Sequence, residues 1–175
     1  MAAPYSWLED DGSADTRAWV EAINRLTFVY HENLPQRDRL KKRITEIWDV
    51  PRYSSARKRG SLYFYTHNSG LQNQDVLYMQ ESLDAPPQVV LDPNKLSDDG
   101  TAALTGAFFS RQGRYLAYGV SLHGSVKQVF HAFKLDGLER LEDRLEWCKF
   151  TSIAWVPDSS GFYYNRYPKP GTVAE

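Results

Sequence analysis

The sequence has a single cysteine, Cys148. One thiol cannot build an internal disulfide framework, so the chain is expected in a reducing, cytoplasmic setting. No run of apolar residues approaches the eighteen that a membrane-crossing helix requires, so no membrane partner is expected. The opening Met1-Ala2-Ala3-Pro4-Tyr5-Ser6 lacks a basic segment followed by an apolar one and does not read as a signal peptide. Neither sign of charge is in excess, with 21 basic against 22 acidic side chains, which argues against a nucleic-acid partner. His31, His67, His123 and His131 show no metal-ligand spacing, and no metal or other cofactor is expected. The nucleophile string G-x-S-x-G is missing as well. Gly119-Val120-Ser121-Leu122-His123 ends in histidine with no helical pattern after it, so it reads as a strand entering a loop. No catalytic residue is assigned.

Aromatic residues are what the chain has in plenty, at 14%, and this tilts the reading toward strands. Helical period is confined to the first fifty residues. Trp19, Ala22, Ile23, Leu26 and Tyr30 share one face of a helix spanning 13–34, with acidic cap candidates before it and Pro35 ending it. Leu40, Ile44, Ile47 and Trp48 share a face of a second helix over 37–48, whose remaining surface is basic and solvated.

Past Pro51 the pattern changes to short strands bounded by Gly, Asp, Asn or Pro. Strands are predicted at 52–57, 61–67, 75–81 and 88–91. A second group follows at 107–110, 115–121 and 129–135, and 148–156 and 162–165 open a third. Three times a strand enters a glycine turn and returns rich in aromatics, at Gly60, Gly113 and Gly161, spaced 53 and 48 residues apart. Four strands per unit at that period is the pattern of β-propeller blades, with an irregular β-sandwich as the alternative. The fold expected is mainly β: two helices, then two four-stranded blades and the first hairpin of a third. Residues 1–50 would form one segment and 51–175 another. Since propellers usually have at least four blades, the chain is expected to stop early.

Cys148 is expected to be a buried strand residue rather than a reactive thiol. Glu9-Asp10-Asp11 and Asp98-Asp99 could be paired carboxylates, but cap and turn positions account for them.

Four strings occur in order along almost the whole chain. They are Tyr5-Ser6-Trp7-Leu8-Glu9-Asp10, then Gly70-Leu71-Gln72-Asn73-Gln74, then Leu91-Asp92-Pro93-Asn94 with Leu96-Ser97-Asp98-Asp99-Gly100-Thr101, then Tyr115-Leu116-Ala117-Tyr118-Gly119-Val120-Ser121. Together they resemble the N-terminal region of the prolyl oligopeptidase family of serine peptidases. The resemblance implies that residues 1–50 pack on an α/β-hydrolase domain absent from this chain. It also implies that residues 51–175 begin a seven-bladed propeller that gates access to the active site. It implies hydrolysis of short proline-containing peptides after proline by a Ser-His-Asp triad. The family's triad lies in the missing domain, so the chain alone is expected to be inactive. By the same resemblance, Phe150 matches a propeller phenylalanine that lines an apolar substrate subsite N-terminal to the proline; a blade-core role is the alternative. Where the family commonly carries Gly-Ser-Asp-Trp, this sequence has Gly124-Ser125-Val126-Lys127, which removes an acidic side chain from the substrate side. A non-catalytic interaction module, pairing with another chain through open blade edges, is the alternative function.

Overall fold

The computed structural model describes residues 3–169 and 171–172. The chain divides into two compact units, one running through Trp48 and the other from Asp49 onward.

The first unit is helical. A 3-10 turn at Ser6–Glu9 precedes α1 (Ala14–Glu32), and α2 follows at Arg37–Trp48. Ser13 caps α1, its Oγ accepting from the Thr16 amide at 3.1 Å. The Thr16 hydroxyl donates in turn to the Trp7 carbonyl at 3.2 Å, and Thr16 is the buried residue of the helix. Trp7 and Trp19 meet edge to face, with ring centroids 6.4 Å apart. The apolar faces foreseen for both helices are open to solvent, and Leu26, Tyr30, Leu40, Ile44 and Trp48 are all exposed. Among the described residues, no helix is long and apolar enough to cross a membrane. Ser13→Ala is expected to weaken the start of α1 by about 1 kcal/mol. The Thr16 amide should then exchange its hydrogen roughly fivefold faster, and unchanged exchange would refute the cap.

The second unit is antiparallel throughout. Blade one contains β1 (Arg52–Tyr53), β2 (Arg57–Arg59), β3 (Leu62–Asn68), β4 (Val76–Gln80) and β5 (Gln88–Leu91). β1 and β2 share one edge of the sheet, both pairing with β3. The expected single strand at 52–57 is therefore broken. At the break the Thr66 amide donates to Ser54 Oγ at 2.8 Å instead of to a ladder carbonyl. The turn also falls two residues later than foreseen, because Arg59 pairs with Leu62.

Blade two is β6 (Ala103–Phe109), β7 (Tyr115–Ser121), β8 (Lys127–Lys134) and β9 (Glu139–Lys149), in that spatial order. β10 (Ile153–Trp155) and β11 (Phe162–Tyr164) form a separate hairpin. The strand foreseen at 148–156 does not exist as one element. Cys148 lies at the end of β9, which closes at Lys149, and a loop separates the strand from Ile153. β9 itself goes unread in the sequence because Glu139, Arg140, Glu142, Asp143, Arg144 and Glu146 swamp its apolar alternation. Charge of that kind is typical of an outer edge strand.

The blades stack through β7, whose residues Leu116 to Gly119 are buried on both faces. One face places Leu116 and Tyr118 against Phe64, Leu77, Met79 and Leu91 of blade one. The other places Ala117 with Phe130, Cys148 and Ile153, closed by Trp155 and Phe162 of the hairpin. A lone sheet could not cover both faces, which is why consecutive blades must stack.

Two of the motifs read in the sequence are bonded to each other. Asn94 Oδ1 accepts from the Gln74 amide, and its Nδ2 donates to the Gln74 carbonyl, both at 2.9 Å. Buried Asn68 is fully satisfied by Gln72, Asp75 and the Gly70 amide. These strings therefore hold the loops at one end of blade one.

Candidate functional site

Phe150 follows β9 directly, and its ring is 73% exposed. It is not blade core. The Lys149 ammonium lies 5.5 Å from the ring centroid. The loop is held from several sides. Phe150 has a φ of 53°, in the left-handed region that non-glycine residues rarely occupy. Thr151 Oγ1 donates to the Asn165 carbonyl at 2.9 Å, and the Ser152 amide donates to Asn165 Oδ1 at 3.1 Å. Just upstream, Trp147 also has a positive φ, 64°, at a bulge where β9 gains one residue on β8. The bulge turns Cys148 into the core, where it is 1% exposed, and leaves Trp147 at the surface.

A groove of about 380 Å³ lies beside this loop. Its walls are Val129, Trp147, Tyr167 and Pro168, with Gln128 and Cys148 at the base. The Tyr167 amide donates to the Trp147 carbonyl at 2.9 Å and fixes the far wall. Gln128 Oε1 is buried with no hydrogen-bond partner among the described residues. Lys127 pairs across the ladder with Lys149, so two ammonium groups stand where the strands end. Val126 is exposed in the adjoining loop. The result is an apolar recess next to an exposed aromatic, with a rim that is basic on balance, Lys127 and Lys149 against Glu146.

The other candidates from the sequence serve the fold. Asp99 accepts from the hydroxyl and the amide of Thr101, at 2.7 and 3.0 Å. Those two bonds, with help from Ser97 and His123, bring its carboxyl down to about 2. His123 approaches Asp99 at 3.3 Å and Thr101 Oγ1 at 3.1 Å, both through Nδ1. A catalytic relay needs the acid on one ring nitrogen and the nucleophile on the other, so this group is not one. Ser121 is buried and donates to the Ser125 carbonyl at 2.6 Å. His67 stacks on Tyr53 at 4.1 Å, and His31 lies beside Tyr30. Among the described residues, no three His, Cys, Asp or Glu side chains gather as a metal site would require.

The sequence pattern of the family described as the N-terminal β-propeller domain of prolyl oligopeptidase matches residues 1–175. A prolyl endopeptidase of Elizabethkingia meningoseptica is 38% identical over 170 residues, covering 97% of this chain and 24% of the relative. Prolyl oligopeptidase A of Galerina marginata is 34% identical over 193 residues, covering 98% of this chain and 26% of the relative. A solved prolyl endopeptidase superposes with a TM-score of 0.89 at 29% identity, over 99% of this chain and 26% of that one. Prolyl oligopeptidase B of Galerina marginata, bound to a 25-residue macrocyclization substrate, superposes at 0.79 with 28% identity, over 95% of this chain and 26% of that one. The chain spans about a quarter of the length of these relatives. With its helices, its stacked open blades and its ordered motifs, the chain belongs to the prolyl oligopeptidase family, matching that family's N-terminal β-propeller region.

Proposed function

We propose that this chain is the opening part of a serine-type oligopeptidase that cleaves short peptides after proline. Its blades would gate entry of the substrate, and residues 1–50 would pack against a catalytic α/β-hydrolase domain. The observation that carries the reading is Phe150, whose exposed ring is held on a pinned loop beside an apolar groove. An exposed aromatic fixed in this way loses little conformational freedom when a peptide side chain packs on it. The apolar helix faces supply the surface a catalytic domain would cover. The reaction would be acyl transfer by a triad in that domain, and the present residues would supply only binding and access.

The test uses the longer protein carrying this sequence and a short chromogenic peptide with proline before the scissile bond. The longer protein should hydrolyse it and the 175-residue chain should not. Phe150→Ala should raise KM about tenfold, near 1.4 kcal/mol, for a substrate with an apolar residue N-terminal to the proline. Hydrolysis by the 175-residue chain would overturn the division of labour. An unchanged kcat/KM in Phe150→Ala would remove the ring from the site.

A further inference from the structure

Away from Phe150, on the face of blade two that looks toward blade one, three side chains stand in register across three strands. Tyr118 pairs with His131, and His131 pairs with Arg144. Arg140 reaches the same place, with Nη2 2.9 Å from His131 Nδ1. The space between them is a cavity of about 290 Å³. Its floor is apolar, made by Leu96, Val120, Leu122 and Val129.

The charges around this cavity are not balanced from within. Arg144 binds Glu146 at 2.9 Å, at the surface. Arg140 has no carboxylate partner among the described residues, and it hydrogen-bonds an imidazole instead. Burial, then Arg140, then Arg144 hold His131 below the usual imidazole range. The ring is therefore neutral at physiological pH, and Nδ1 accepts from the guanidinium. This fixes the direction of Arg140 without cancelling its charge. Arg140 is therefore the guanidinium that an incoming anion would neutralise, and Arg144, although paired with Glu146, lines the same cavity with further donors. A guanidinium's fork of donors suits a carboxylate in particular. Apart from the two arginines and His131, no lining side chain is basic, which argues against a polyanion.

We propose that this pocket binds a small monocarboxylate with an apolar body, its carboxylate on Arg140 and Arg144 and its body on the Leu96–Val129 floor. Both a peptide C-terminus and a free aliphatic acid have that chemistry.

The experiment is an NMR titration of the full chain, following the imidazole signals of His131, with hexanoate, hexanamide and N-acetyl-leucine as probes. Hexanoate should shift the His131 signals and leave those of His31 in place. Hexanamide, with the same body and no charge, should bind at least tenfold more weakly. Arg140→Gln, at an exposed side chain, should weaken hexanoate at least tenfold with the near-ultraviolet circular dichroism unchanged, and Arg144→Gln should act in the same direction. Tighter binding of N-acetyl-leucine than of hexanoate supports a peptide C-terminus as the natural occupant, and the reverse order supports a free acid. The proposal is overturned if acid and amide bind alike, if the Arg140→Gln affinity is unchanged, or if His131 does not respond.

Discussion

Phe64→Ala is expected to remove about 3–5 kcal/mol from the stability of the blade unit. Phe64 is 2% exposed and sits on β3 with Leu62, on the side facing blade two. Its ring centroid is 4.2 Å from that of Phe109, which belongs to the next blade. Leu77, Met79 and Leu116 close around it in the same cluster. Truncation loses the transfer energy of the ring and leaves a cavity between two sheets, each stiffened by its own ladder, so the gap cannot collapse. Whole domains are stable by only about 5–15 kcal/mol, so the loss is a fifth of that or more. Phe150→Ala makes the control within the same chain. It deletes the same side chain from a position that is 73% exposed, and it should change stability by less than about 0.5 kcal/mol. Urea unfolding followed by tryptophan fluorescence separates the two. Equal midpoints for the two variants would mean that contact between the blades does not stabilise the unit.

The blade architecture was readable because its strongest signals are local. Tyr115 to Ser121 pairs β-branched and aromatic residues with a preceding glycine turn, and that turn could not have been placed otherwise. The helices were readable from Leu40, Ile44, Ile47 and Trp48, although the faces themselves are exposed in this chain. β9 was not readable, because its strand character comes from pairing with β8 rather than from its own composition. The start of β6 was hidden as well. The register shifts between Leu104 and Gly106, and one extra residue there destroys the period of two.

The site divides along the same line. Phe150 could be singled out only through the string in which it lies, since its exposure depends on a left-handed kink that no composition reveals. The basic rim was half visible. Lys127 was noted as a departure from the family, but its pairing with Lys149 follows from the register of two strands, one of them unread. Tyr167 and Pro168 line the groove, where the Tyr167 amide bonds the Trp147 carbonyl, a contact that no local pattern reveals. The cluster of His131, Arg140 and Arg144 was invisible for the same reason, since two of its three members stand on β9.

Gly60→Ala should lower stability by about 2–5 kcal/mol, the second large effect expected, and it tests what the repeat glycines are for. In the sequence Gly60, Gly113 and Gly161 look equivalent. In the fold, the first two press on one another's turns. Gly60 has a φ of 58°, and a Cβ there would lie 2.2 Å from the Gln112 carbonyl oxygen. Gly113 has a φ of 69°, and its Cβ would lie 2.5 Å from the Arg59 carbonyl oxygen. Both obstacles are backbone, so neither can swing aside. The left-handed conformation costs a side-chain-bearing residue about 1–2 kcal/mol, and forcing the turns apart adds roughly 1–3 more. The third turn is built differently. Ser159 takes the left-handed position, with a φ of 65°, and its hydroxyl meets the Gln112 side chain. A Cβ on Gly161 would touch nothing within 4 Å. Gly161→Ala should therefore stay within about 0.5 kcal/mol of the parent. Combining Gly60→Ala with Gly113→Ala should cost clearly less than the sum of the two, because both variants open the same seam between the turns. Strict additivity in thermal or urea unfolding would show that each glycine acts on its own hairpin alone, and that the turns of successive blades do not support one another.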